Sequence, residues 1–158
     1  MIREIKKTDF EALKVVIDSN ELFPSERLDD MTADFFNNPE SQDIWLTKEV
    51  DGKPIAIAYC APERMAEGTY NLYLIAIDKS FQGKGYGSDI MIYLEELLQR
   101  NKNRMLIVET SGLPEFELTR QFYKKQDYFL AGVIPDFYQQ GEDKVIFYKF
   151  IPPETLIR

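Results

Sequence analysis

Ile75-Ala76-Ile77-Asp78-Lys79-Ser80-Phe81-Gln82-Gly83-Lys84-Gly85-Tyr86-Gly87-Ser88 runs from an apolar strand into an amphipathic helix. Glycines at alternate positions 83, 85 and 87 strip side chains from the turn, so backbone N–H groups can approach a ligand closely. The helix that follows adds unpaired N–H groups and the positive end of its dipole. Such a place binds phosphate. Two familiar phosphate loops are excluded by spacing. The pattern G-x-x-x-x-G-K-[ST] is absent, and G-x-G-x-x-G fails because Ser88 stands where its last glycine belongs. The loop also follows a middle strand, not the first strand of a βαβ repeat.

Working outward, the chain reads as strands and helices in mixed order. Ile2 to Ile5 is a short opening strand, and Thr8-Asp9-Phe10-Glu11 resembles a capping box. Phe10, Leu13, Val16 and Ile17 then share a helical face, and Leu28, Met31 and Phe35 repeat at helical spacing after Pro24-Ser25. Ile44 to Val50 and Pro54 to Ala61 read as a hairpin around Asp51-Gly52, and Tyr70 to Ile77 as the strand entering the loop. Beyond the loop, Ile90, Met91, Leu94, Leu97 and Leu98 mark a helix. Met105 to Thr110 is a strand, Glu115 to Lys125 a helix, and Tyr128 to Ile134 and Val145 to Phe150 are strands joined by a loop holding Asp136-Phe137-Tyr138. No repeat or Gly/Ser linker divides residues 1–158, so one α/β domain with a mixed sheet is expected.

Composition narrows the chemistry. The chain has 158 residues, 44% of them hydrophobic, enough for a real core. A net charge of -8 argues against a nucleic-acid partner, which selects for a basic face. There is no histidine, which removes Ser-His and Cys-His nucleophile pairs and the common zinc sites, so no metal is expected. The single cysteine, Cys60, lies in the apolar run Ile55-Ala56-Ile57-Ala58-Tyr59-Cys60 and reads as a small buried residue. No apolar stretch nears the roughly 18 residues that span a membrane. A cytoplasmic protein with no membrane partner is expected.

The loop pattern Q-x-x-G-x-G at Gln82–Gly87 resembles the coenzyme A pyrophosphate motif of the GNAT acetyltransferase superfamily. The likeness extends to the strand ending in Glu109-Thr110-Ser111, to Thr119-Arg120-Gln121-Phe122-Tyr123-Lys124-Lys125, and to the element order along nearly the whole chain. It implies a GNAT-like fold, a splayed mixed sheet flanked by helices, and an acetyl-CoA-dependent N-acetyltransferase working on a primary amine. The pyrophosphate would then lie on the backbone of Gln82, Gly83, Lys84, Gly85, Tyr86, Gly87 and Ser88. Pantetheine would pair with the main chain of Ile75, Ala76 and Ile77, in a splay between the Tyr70–Ile77 and Met105–Thr110 strands. Tyr123 would be the general acid that protonates the departing thiolate. Glu109 is the first choice of base; its alternative is a structural ion pair with Arg104 or Arg120. Asp136 and Tyr138 would edge the substrate pocket, and a water chain would serve in place of a single base. Two positions depart from the family pattern: Phe116 stands where many members carry a pantetheine-binding asparagine, and Asp127-Tyr128 replaces a Gly-Phe. The acceptor, whether a small-molecule amine or a peptide amine, is left open, and a homodimer is compatible with this reading. The competing reading from another class is a coenzyme A-binding sensor without turnover.

Overall fold

The computed structural model describes residues 1–154. Its strands are β1 (Ile2–Glu4), β2 (Ile44–Val50), β3 (Lys53–Pro62), β4 (Thr69–Ile77), β5 (Met105–Ser111), β6 (Phe129–Gln139) and β7 (Glu142–Phe150). Its helices are α1 (Phe10–Ser19), α2 (Leu28–Met31), α3 (Ala33–Asn37), α4 (Tyr86–Arg100) and α5 (Glu117–Lys125). The strands form a mixed seven-stranded sheet in the order β1-β2-β3-β4-β5-β7-β6. β4 and β5 are parallel, whereas β1/β2, β2/β3, β5/β7 and β6/β7 are antiparallel. Parallel neighbours need a long crossover, which the loop and α4 provide between β4 and β5. Among the described residues no helix is long and apolar enough to cross a membrane.

The chain divides into two compact units. Unit 1 comprises Met1–Ala61 and Tyr73–Leu94. Here α1 buries Leu13, Val16 and Ile17, and these pack with Ile5, Leu28, Trp45, Ile57 and Ala76. Asp51-Gly52 turns β2 into β3 with both φ angles positive, +52° and +77°. That is the signature of a tight primed hairpin turn.

Unit 2 comprises Pro62–Leu72 and Glu95–Arg158. β5 alternates inward Leu106 and Val108 with half-buried neighbours, and β7 points Val145 and Phe147 inward. Arg120 of α5 reaches back to the Ser111 and Leu113 carbonyls at 2.7 and 2.9 Å, tying the helix to the end of β5. Glu95 of α4 accepts from the Tyr128 hydroxyl at 2.7 Å and pairs with Lys149 at 2.9 Å.

Three details differ from the sequence reading. The first helix is not capped by Thr8 and Glu11: Asp9 takes the Lys6 N–H at 2.7 Å and is gripped by both terminal nitrogens of Arg3. A buried carboxylate favours a guanidinium fork over a purely local cap. Second, Asp136-Phe137-Tyr138 belongs to β6 instead of a loop, because β6 runs on to Gln139 through an irregular register after Ile134. Asp136 bends the strand with φ +55°, and its carboxylate accepts the Gly141 N–H at 2.8 Å. Third, Pro114–Phe116 forms a separate 3-10 turn before α5.

Candidate active site

The glycine loop is held at its entry by polar side chains. Asp78, buried at the end of β4, accepts the Ser80 N–H at 2.9 Å, and its own N–H donates to the Ile55 carbonyl at 2.8 Å. The Asn20 amide donates to the Ile77 carbonyl at 2.8 Å, and the Gln82 amide donates to that carbonyl and to Asn20 Oδ1, each at 3.1 Å. The loop's entry is therefore fixed while its tip stays bare. Gly83 and Gly85 have φ of +78° and +83°, where an L side chain is strained. A Cβ built on either would meet nothing within 4 Å. The space beside these two residues is open, and a methyl group there would enter it.

The helix start completes the cradle. The bond from the Asp89 N–H to the Gly85 carbonyl, 3.1 Å, opens the α4 ladder, so the Tyr86 and Gly87 amides lie ahead of it. Lys48 steadies this turn, 3.6 Å from Asp89 and 5.1 Å from the Tyr86 ring centre. Lys84 stands over the Phe81 ring, 5.7 Å from its centre. Backbone donors, a dipole end and a lysine suit a pyrophosphate-bearing coenzyme. The β5 register takes up only Thr69–Leu72 of β4, so among the described residues Ile75, Ala76 and Ile77 have no β5 ladder partner.

Tyr123 and Glu109 lie in unit 2. Tyr123 sits on the inner face of α5, only 4% exposed, with ring contacts to Phe122, Tyr128 and Phe147. Burial alone pushes its phenol well above the ordinary range and keeps it protonated. Glu109 is ion-paired, though with neither Arg104 nor Arg120: Lys144 of β7 holds it at 3.0 Å. Their juxtaposition follows from the β5/β7 register, which runs Glu109↔Ile146 and Ser111↔Lys144. Tyr138 is half-exposed, and its phenol is pushed up by partial burial and then by the Glu109 and Glu142 charges. Cys60 is buried and its thiol is pushed far up, which leaves no thiolate nucleophile. No cluster of metal-ligating side chains occurs among the described residues.

Two features escaped the sequence reading. Asp78-Lys79-Ser80 carried an Asx-turn signal that would have located the Asp78 cap. Asn20 carried none, because its partners at the loop, Ile77 and Gln82, lie far along the chain. A third element is a stack of Trp45, Tyr59 and Tyr73.

Comparison with known proteins agrees with the fold. Similar solved structures include a protein from Desulfovibrio desulfuricans assigned to the GNAT acetyltransferases, with TM-score 0.89 and 23% identity over 96% of this chain and 99% of that one. An aminoglycoside 6'-N-acetyltransferase complexed with coenzyme A aligns with TM-score 0.77 and 16% identity over 98% of each chain. The Escherichia coli ribosomal-protein-S18-alanine N-acetyltransferase aligns with TM-score 0.74 and 20% identity over 100% of this chain and 99% of that one. A search of curated protein sequences finds no match. The sequence model of the Acetyltransferase (GNAT) family matches residues 2–128, and the chain belongs to that family.

Proposed function

We infer that this acetyl-CoA-dependent N-acetyltransferase works by direct attack of a primary amine on the thioester, with Tyr123 as acid and Glu109 as base. The observation that carries the donor side is the bare Gly83/Gly85 cradle, with positive φ at both glycines and open space above both. Gln82, Gly83, Lys84, Gly85, Tyr86, Gly87 and Ser88 would hold the pyrophosphate through their main chains. Ile75, Ala76 and Ile77 would pair with pantetheine as an added strand, orienting the thioester at the reacting end. Acetyl-CoA supplies an activated acetyl group. Glu109, directly or through water, receives the proton that the ammonium must lose. The amine nitrogen bonds to the acetyl carbon and the carbon–sulfur bond breaks. Tyr123 gives its hydroxyl proton to the departing sulfur and regains one from the reacting amine through solvent. No covalent enzyme adduct is required, which fits a chain whose one thiol is buried.

The reading is tested by calorimetry with coenzyme A, then by thiol release from acetyl-CoA across an amine panel. Absence of coenzyme binding overturns it, and binding without turnover converts the protein to a sensor. We further place the enzyme in the cytoplasm with its donor, acting on an amine and not on nucleic acid or membrane. A homodimer is supported by the exposed Phe129, Leu130, Val133 and Phe137 of β6. Sedimentation of the wild type and Val133→Glu checks this; a monomeric wild type refutes it.

A further inference from the structure

Unit 1 contains a cavity of about 400 Å³ lined by Leu22, Phe23, Met31, Tyr59, Tyr73 and Leu74. None of these side chains is charged, and three carry aromatic rings. Tyr59 is the middle of a three-ring stack: it lies 4.1 Å from Trp45 at 9° and 5.5 Å from Tyr73 at 28°. Trp45 is fully buried while Tyr73 is 52% exposed, so the stack leads from the core outward to the cavity. A flat apolar ring would extend that stack. A polyhydroxylated amine would leave its hydroxyls facing Leu22, Phe23, Met31 and Leu74 without partners, at a cost per group.

Charge points the same way. Asp43 directly precedes β2, two residues before Trp45, and Trp45 is the ladder partner of Tyr59. Burial and the neighbouring Asp34 push the Asp43 carboxyl up, and no cation among the described residues pairs with it. The Tyr59 phenol is pushed up to about 12 by burial and then by Asp43. Asp34 is already engaged by Ser41 and Asn38. An unpaired, partly buried carboxylate beside an aromatic face is a place where a cation is stabilised twice, by charge and by the ring quadrupole.

Tyr73 and Leu74 directly precede Ile75 on β4. At about 3.3 Å per residue, the pocket wall stands within about 7 Å of the stretch assigned to pantetheine. We propose that this pocket is the acceptor subsite and that the acceptor is a primary arylalkylamine, its ring laid against Tyr59 and Tyr73 and its ammonium drawn in by Asp43. The assignment rests on the donor reading given above.

Trp45 is the only tryptophan in the chain, so its fluorescence reports on the stack without any turnover. Phenethylamine is titrated into the protein, with 2-phenylethanol as the neutral counterpart, and coenzyme A binding is followed separately by calorimetry. Thiol release is then compared for phenethylamine, an aminoglycoside and an alanine-terminated peptide. Phenethylamine should change Trp45 fluorescence saturably and be the preferred acceptor. Both Tyr73→Ala and Asp43→Asn should weaken it about tenfold with coenzyme affinity unchanged, and 2-phenylethanol should bind about tenfold more weakly than phenethylamine. Unchanged fluorescence in a protein that binds coenzyme A overturns the acceptor class and spares the donor reading. Preference for the aminoglycoside or the peptide also overturns it. Phenethylamine binding in a protein that binds no coenzyme A overturns the acceptor role together with the donor reading.

Discussion

Lys144 Nζ lies 3.0 Å from Glu109 Oε1 and also 3.8 Å from the centre of the Phe137 ring. The carboxylate proposed as base is thus held in one orientation by a lysine that is itself seated on an aromatic face. Glu109→Gln keeps the shape and removes the proton acceptor. Its kcat should fall about a hundredfold with the KM for acetyl-CoA unchanged. Steady-state thiol release decides the point, and an unaltered kcat removes Glu109 from the mechanism.

Tyr123→Phe deletes one hydroxyl from a buried ring whose packing stays intact. A loss in kcat of about a hundredfold or more with a melting temperature close to wild type is expected. Because burial raises the phenol, the alkaline limb of kcat that belongs to Tyr123 should lie above the free phenol value of about 10. A pH profile of wild type against Tyr123→Phe reads both effects.

Gly85→Ala places a methyl group in the open cradle and forces alanine to φ +83°. The strain costs about 1 kcal/mol of stability, as expected for an L residue in that region. Coenzyme A affinity should fall by much more than this strain accounts for. Calorimetry and thermal melts separate the two, and wild-type affinity would show that the glycine loop is not the coenzyme site.

Arg3 grips Asp9 at 2.8 and 2.9 Å and also Glu49 at 2.7 Å. The hydrogen bond to Arg3 holds the Asp9 carboxyl below its usual value, against the opposing effect of burial. A carboxyl depressed in the folded state stabilises fully above its unfolded pKa of about 3.9. That contribution disappears as pH falls through the lower folded value. Asp9→Asn should therefore cost about 2 kcal/mol at neutral pH. The gap from wild type should narrow below about pH 4. Urea melts at both pH values provide the check.

Asp127 ends α5 with φ +67°, the left-handed position that helix ends give to glycine. Asp127→Gly should raise stability by about 0.5 to 1 kcal/mol. Coenzyme affinity should not change. A decrease in stability would mean that the aspartate side chain makes up for its backbone strain.

The parts of this fold that could be read from sequence are those with strong local rules. The β2–β3 hairpin followed from two strand-like runs around Asp51-Gly52, and the turn into α4 from alternate glycines between a strand and a helix. The last third was harder. The Asp136 carboxylate, its left-handed backbone and the irregular β6 register resemble loop chemistry locally, yet β7 pairs with the strand on both sides of it. Glu109 was expected at the end of its strand, but its partner came from β7, whose register no local pattern announces. The Trp45–Tyr59–Tyr73 stack also depends on pairing: Trp45 and Tyr59 face each other only because β2 and β3 align at that residue pair. Tyr123 was placed by family likeness. Its helix position agreed, but the degree of burial came from rings on α5, β7 and the turn into β6.

Neither compact unit is a continuous piece of chain. Residues 62–72 are read out between the two halves of unit 1, and β4 passes from one unit to the other between Leu72 and Tyr73. On the ribosome, unit 1 has all of its residues once Leu94 has emerged. The segment Pro62–Leu72 must wait for β5, since its ladder partners begin at Met105. A truncation after α4 would therefore strand half of β4 without its neighbour. The two units cannot be inherited, swapped or expressed as separate cassettes, and a domain graft has to carry the whole interleaved chain.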